Sequence, residues 1–262
     1  MIPQYESALL ISDLHLTPSM PLTAQRFFDF CEKEAPKVDS VFILGDLFEY
    51  WVGDDAVMQS PFHQEVKRAI ATLSTKIKVY YLHGNRDFLL GADYLSKSGM
   101  SLLSDPSKIE IGGKEYVLSH GDSLCTADVG YQVYRGWVRK SWIQKLFLKM
   151  PLSWRKSIAQ QLRSNSSASY QRTQSLVAAN LPEKGDVTTA ACAAILRDQA
   201  GDRLIHGHTH LPAYHQESLG EQSWQRWVLS DWDLDHPESI RPRASALLIN
   251  PDGVRYLDLI KT

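Results

Sequence analysis

Five short apolar runs in this chain each break off in a cluster of Asp, His or Asn, and that recurrence limits the fold more than any bulk property. ALLIS leads into Asp13 and His15, VFIL into Gly45-Asp46, VYYL into Gly84-Asn85-Arg86-Asp87, YVLS into His120-Gly121-Asp122, and LI into His206-Gly207-His208-Thr209-His210. Runs of this length read as buried strands, and in an open α/β sheet ligands bind beyond the C-terminal strand ends. Five such strands in one sheet are therefore expected to bring their tips to a single site. Its inventory is two carboxylates (Asp13, Asp46), four imidazoles (His15, His120, His208, His210) and one amide (Asn85).

The intervening segments fit this frame. Residues 21–35 and 61–74 each open with proline and carry helical patterning, giving the strand-helix-strand alternation of an α/β chain. Residues 108–119 read as a hairpin turning at Gly112-Gly113, so the sheet is expected to be mixed. WQRWVLS and ASALLINPDGVRYLDL add strands near the end, the latter around a Pro-Asp-Gly turn, while residues 163–169 read as a polar loop. With 262 residues and 44% hydrophobic content, one domain covering 1–262 is expected. Glu6 interrupts the stretch where a secretory signal needs its apolar core, so the N-terminus is expected to be structural. No apolar stretch approaches the roughly 20 residues of a membrane span. Cys31, Cys125 and Cys192 are odd in number and far apart, which predicts packed free thiols.

Charge is segregated. Residues 129–182 contain no Asp or Glu but carry Arg135, Arg139, Lys140, Lys145, Lys149, Arg155, Lys156, Arg163 and Arg172, which leaves 19 of the 28 basic residues against all 30 acidic ones elsewhere. Within residues 131–150, Trp137, Trp142, Ile143, Leu146, Phe147 and Met150 interleave with the cations, which predicts a moderately amphipathic basic helix suited to an anionic lipid surface or a lipid-binding lid. A second helix is expected after Pro151. Nucleic acid is not expected as a partner, because no recognised module or clear stacking platform accompanies the charge.

The ligand chemistry is specific. A strand alternates its faces, so Asp13 and His15, two apart, are expected to point to one side and chelate one ion, as are His208 and His210. Mixed imidazole, carboxylate and amide donors favour manganese, iron or zinc over calcium or magnesium. Seven candidate ligands exceed one site's needs but suit two ions roughly 3.5 to 4 Å apart that share a carboxylate. Two divalent ions against two carboxylates and one bridging hydroxide leave the centre positive, fit for an anionic substrate and a water-derived nucleophile. His83 and His206 read as packed or supporting groups; Asp122 is expected to orient His120, and Asp87 to fix Arg86.

The order Asp-x-His, Gly-Asp, Gly-Asn, His-Gly, Gly-His-x-His resembles the calcineurin-like metallophosphoesterase superfamily. That resemblance implies a sandwich of two mixed β-sheets flanked by helices, here with residues 129–182 as an inserted basic helical lid. It also implies one ion on Asp13, His15, Asp46 and His210 and another on Asp46, Asn85, His120 and His208. GDLFEYWVGDD, HGNRDFLLG, HGDSLCTADVGYQ and LIHGHTHLPA, with the basic segment, are similar to a branch of manganese-dependent pyrophosphatases of lipid A synthesis. The branch implies cleavage of a UDP-linked diacylglucosamine lipid to UMP and 2,3-diacylglucosamine 1-phosphate, by a monomer peripheral to the cytoplasmic face of the inner membrane. A broader phosphodiesterase or nucleotide pyrophosphatase of the same superfamily is the alternative. Asp46, Asn85, Arg86, His120 and His208 are implied in catalysis. Asn85, Arg86, Asp128, Ser166 and His208 are implied in substrate binding, as are Tyr170 and Thr173, although the branch pattern has asparagine and lysine at those two positions. Many members of the superfamily carry histidine where Arg86 stands. Arginine cannot donate a proton, and a phosphate leaving group needs no such acid.

Overall fold

A computed structural model describes residues 2–162, 186–236 and 241–260. It contains two six-stranded mixed sheets. The first has the order β12-β11-β2-β3-β4-β5 and the second β1-β6-β7-β8-β10-β9. The first sheet is built from β2 (Ala8–Ile11), β3 (Ser40–Ile43), β4 (Lys78–Tyr81) and β5 (Met100–Leu102), all parallel, with β11 (Ser245–Asn250) antiparallel to β2 and β12 (Gly253–Asp258) on its edge. In the second, β7 (Lys114–Ser119), β8 (Arg203–His206) and β10 (Gln222–Val228) run parallel, while β6 (Ser107–Ile111) and β9 (Ala213–Leu219) pair antiparallel to β7 and β10. The short β1 (Gln4–Tyr5) completes the edge beside β6.

The five strands expected in one sheet are therefore divided, three in the first and two in the second. The reason lies in the pleat. Along β2, Ala8 and Leu10 face Ile109, Tyr116, Leu118 and Ile205 of the other sheet, whereas Leu9 and Ile11 face helices. An apolar run without alternation marks a strand covered on both faces and is silent on what covers it. The sheets enclose one core between them. A second core lies under α1 (Pro21–Asp29), α2 (Pro61–Ser74) and α3 (Ala92–Ser98), and a third under α7 (Thr189–Asp198), where Cys192 and Leu196 meet Val117, Leu204 and Trp224. This is the sandwich of two mixed sheets flanked by helices that the resemblance implies.

Local chemistry accounts for the boundaries. The 21–35 helix is regular only to Asp29; a π-type widening over Phe30–Glu34 keeps Phe30, Cys31 and Ala35 buried, and a 3₁₀ turn over Ala35–Lys37 ends it at Pro36. At the β6–β7 hairpin, Gly112 and Gly113 have φ of 58° and 73°, the left-handed geometry of a two-residue turn. The three cysteines are buried free thiols.

The basic segment forms α4 (Val129–Val138), α5 (Ser141–Leu148) and α6 (residues 152–162), so the helix expected over 131–150 is broken at Arg139-Lys140. Residues 163–169 and the candidates Ser166, Tyr170 and Thr173 lie outside the described residues. Among those described, no helix is long and apolar enough to cross a membrane. Three of the segment's cations face inward. Arg135 and Arg139 pair with buried Asp122, and Arg155, 2% exposed, pairs with Asp55 and donates to the Val52 carbonyl. Lys140, Lys145 and Lys149 remain exposed, on a surface that also shows Trp137, Trp142, Leu146 and Trp154.

His63 on α2 gives the fold a pH limit. Its ring packs on Phe48, Trp51 and Phe62, and its Nδ1 lies 2.5 Å from Ser60 Oγ. Burial, reinforced by the charge of Lys156, pushes its pKa down from 6.5 to about 4. The folded state therefore requires the neutral ring. This contribution is fully present above pH 6.5 and is lost as pH falls through about 4, with an upper bound of roughly 3 kcal/mol. We expect His63→Phe to flatten the stability loss between pH 6.5 and 4, measured by urea unfolding of both proteins across that range; parallel curves would contradict this account.

Candidate metal centre

All seven candidate ligands lie just beyond strands, on loops at the C-terminal strand ends of the two sheets. Asp13 and His15 follow β2, Asp46 follows β3, Asn85 follows β4, His120 follows β7, and His208 and His210 follow β8. Strand alternation does not aim them, contrary to the sequence expectation, because each strand has already ended. Five of them instead have left-handed backbones: Asp13 (φ 56°), His15 (48°), Asp46 (51°), His208 (68°) and His210 (57°). Non-glycine residues rarely adopt this region, and when they cluster in it the surrounding structure must hold them there.

The hold is visible in the hydrogen bonds. Asp13 N donates to the Gly45 carbonyl at 3.1 Å, His15 N to the Asp46 carbonyl at 3.0 Å, and Trp232 N to the Asp13 carbonyl at 3.1 Å. Asp13 Oδ2 accepts from His208 N at 2.8 Å and Asp46 Oδ1 from Arg86 N at 2.8 Å, so each aspartate ties its own loop to another. Asp87 was expected to fix Arg86 but does something else. Its fully buried carboxylate accepts the amides of Asp46 (3.2 Å), Phe48 (3.2 Å) and Gly84 (3.0 Å), joining the β3 and β4 loops. Glycine is required where loops cross: a Cβ on Gly84 would lie 2.0 Å from Asp46 Oδ1, and one on Gly207 2.3 Å from Asp13 Oδ2.

The donor atoms converge in two groups. Asp13, His15 and His210 each offer an atom within 4.8 Å of the others, as do Asp13, Asp46 and His120. His15 Nε2 and His210 Nε2 face each other at 3.4 Å, with Asp13 Oδ1 3.3 Å from the latter. Asn85 Oδ1 lies 2.9 Å from both His120 Nε2 and His208 Nδ1, and Asp46 Oδ2 lies 3.8 Å from His120 Nε2. Two imidazole nitrogens aimed at one another share at most one proton, and buried Asp13 Oδ1 has no hydrogen-bond partner. This nitrogen and oxygen set fits divalent transition ions.

Ionisation follows from the crowding. Burial opposes charge on Asp13, but His210, His120 and His15 together hold its carboxyl well below the usual range. Burial pushes Asp46 up to about 7 against the pull of His120, with Asp87 and Asp13 adding repulsion. Burial would lower His120, yet Asp46, Asp122 and Asp13 raise it to about 9. Burial, with His120 beside it, lowers His208 to about 4. A cation among these groups relieves the repulsion between Asp13 and Asp46, at the cost of displacing any proton they share with the rings.

Supporting groups differ in part from expectation. His120 Nδ1 lies 2.8 Å from the Leu44 carbonyl, which orients the ring. Asp122, expected in that role, instead accepts from Tyr131 Oη (2.7 Å) and Arg135 Nε (2.8 Å), anchoring α4. His83 contacts the Leu90 carbonyl, and His206, buried, contacts the Gly207 carbonyl and Arg226, as packed groups do. Residues that the sequence did not single out for this site also reach the centre. The Tyr131 ring stacks on His208 with centroids 6.1 Å apart, Arg139 donates to the Gly84 carbonyl at 2.8 Å, and Glu49 and Asp231 approach His15 and His210.

Beside this cluster opens a cavity of about 580 Å³. Asn85, Arg86 and Asp128 line its polar end; Trp51, Phe88, Val138, Ile143, Phe147 and Leu162 line the rest. Asp128 also caps α4 by accepting from Tyr131 N at 3.0 Å. We expect Gly84→Ala to displace Asp46 and weaken metal binding on the order of tenfold or more, with metal content after gel filtration as the readout; unchanged content would show that the loop crossing is not needed.

The sequence matches the family model of calcineurin-like phosphoesterases over residues 7–212. A UDP-2,3-diacylglucosamine hydrolase of Ralstonia nicotianae is 47% identical over 93% of this chain and 89% of its own length. One of Aeromonas salmonicida is 43% identical over 86% of each. Among solved structures, a zinc complex of Vps29 from Entamoeba histolytica aligns with 97% of this chain and 93% of its own at 15% identity and a TM-score of 0.44. The chain belongs to the calcineurin-like phosphoesterases and, among them, to the family of the UDP-2,3-diacylglucosamine hydrolases.

Proposed function

We propose that this chain hydrolyses the pyrophosphate bond of UDP-2,3-diacylglucosamine, giving 2,3-diacylglucosamine 1-phosphate and UMP. The observation that carries this reading is the junction of a metal-binding cluster with a largely apolar cavity, with Asn85 and Arg86 at the seam. In this reading residues 1–262 are one domain, and residues 129–182 are its inserted lid. Asp13, His15, Asp46 and His210 hold one divalent ion and Asp46, Asn85, His120 and His208 the other, manganese being the preferred metal. When bound, such ions acidify water and neutralise charge on phosphoryl oxygens.

The chain's own residues do the rest. Asp46 Oδ1, by accepting from Arg86 N, places the guanidinium's loop at the edge of the cluster. Arg86 then grips phosphate oxygens and stabilises charge developing there; it transfers no proton, and a departing phosphate monoester needs none. His120, oriented by the Leu44 carbonyl, and His208, flanked by the Tyr131 ring, confine the reacting phosphates. The apolar walls of the cavity take an acyl chain and exclude water from it. Asp128, Ser166, Tyr170 and Thr173 hold the sugar and its phosphate, the last two standing where the branch pattern has asparagine and lysine. The exposed surface of Trp137, Trp142, Leu146 and Trp154 with Lys140, Lys145 and Lys149 docks the monomer on the anionic cytoplasmic face of the inner membrane.

Purified protein incubated with this lipid, Mn²⁺ and ¹⁸O-water should give both products, with the label in only one of them by mass spectrometry. Equal turnover of a soluble UDP-sugar would point instead to a broader nucleotide pyrophosphatase. In the same assay Arg86→Ala should lower kcat on the order of 10²-fold without altering the melting curve; a wild-type rate removes the residue from the reaction. Because Arg135 and Arg139 serve Asp122, the test of docking reverses Lys140, Lys145 and Lys149 to glutamate. Sedimentation with anionic vesicles should fall while activity on detergent-dispersed lipid persists, and undiminished sedimentation counts against this surface.

A further inference from the structure

His15 and His210 are backed differently from the other two histidines of the cluster. Asp231, 6% exposed, lies on the loop after β10 with Oδ2 3.4 Å from His210 Nδ1, the ring nitrogen turned away from Asp13. Both of its oxygens are gripped by Arg243 through Nε and Nη2. Arg243 is itself fixed by a reciprocal backbone pair with Asp233, at 2.8 and 2.9 Å. The same loop supplies Trp232 N to the Asp13 carbonyl, so it supports one ligand's ring and another's backbone together. Behind His15, Glu49 Oε2 lies 3.5 Å from Nδ1. By contrast, His120 Nδ1 meets the neutral Leu44 carbonyl, and His208 turns its Nδ1 inward to Asn85.

We propose that Asp231, clamped by Arg243, is a positioning residue for His210, and that with Glu49 behind His15 it makes the Asp13, His15 and His210 position the tighter of two unequal metal positions. This rests on the two-metal reading given above. A carboxylate behind an imidazole fixes which nitrogen keeps its proton and makes the other a stronger donor; a carbonyl orients the ring without adding charge. The inner donors add to the contrast, since the His15 side includes the Asp13 carboxylate and the His208 side the neutral Asn85 amide. Divalent ions follow anionic donors, so the His15 side should fill first.

The test titrates metal-stripped, full-length protein with Mn²⁺ alone, counting free ion by electron paramagnetic resonance and bound ion by elemental analysis. Wild type should bind two ions in separable steps. Asp231→Asn should weaken the first step about 10- to 100-fold and the second less than about threefold, and Glu49→Gln should shift the same step. A merely structural role would lower the melting temperature without selecting between ions. Should Asp231→Asn fail to fold, Glu49→Gln carries the test alone. Equal weakening of both steps, or no shift in either, overturns the proposal. Wild type that binds fewer than two ions rejects the two-metal reading itself.

Discussion

Two carboxylates and a set of imidazoles cannot be crowded together unless the backbone that carries them is held against its own preferences. Five left-handed residues each cost on the order of 1 kcal/mol or more relative to an ordinary conformation. The cost is met by bonds that pass between loops: Asp13 to Gly45 and Trp232, His15 to Asp46, His208 to the Asp13 carboxylate, and Asp87 to the amides of Asp46 and Phe48. Each of these requires two strand ends to be in register, so the centre exists only when both sheets have formed and packed. The core of Leu10, Phe42, Leu118, Ile205 and Leu247 between the sheets is thus the foundation of the chemistry, though none of these residues touches a ligand of the cluster through a polar atom.

The basic helices join the centre through polar contacts and through the Tyr131 ring stacked on His208. Asp122, two residues beyond His120, receives Tyr131 and Arg135, and Arg139 reaches the carbonyl of Gly84, next to Asn85. The cavity is therefore not an independent pocket beside the cluster. Its walls and the ligand loops share hydrogen bonds, and a shift of α4 moves a bond on the Asn85 loop directly.

Much of the site was legible in the sequence because strand tips announce themselves: an apolar run followed by glycine and a polar cluster is hard to read otherwise. The split of the strands between two sheets was not legible, since Leu9 and Leu10 look alike to any pattern while facing different layers. Nor was the left-handed backbone at Asp13 and His15, whose two-residue spacing mimics strand alternation. Asp231 carries no motif, and Glu49 and Tyr131 lie inside GDLFEYWVGDD and HGDSLCTADVGYQ without a role legible there; all three matter through the atoms they accept from or lie against, which depend on tertiary placement. Arg155 was read as one cation among nine, because its partner Asp55 lies 100 positions away. The pairing of two sheets in a sandwich came from family resemblance rather than from periodicity.

The manner in which α4 and α5 are attached has a further consequence. Neither helix contains a fully buried side chain, so little hydrophobic area fastens them to the sandwich. Their attachment rests on Asp122 with Arg135 and Arg139, and that of the neighbouring α6 on Asp55 with Arg155. Added electrolyte weakens charge pairs by screening, least where they are buried, while excluded salts such as sulfate strengthen apolar burial. Because Asp122 and Arg155 are buried, added salt loosens these helices only weakly, while an excluded salt such as sulfate tightens the interior of the sandwich.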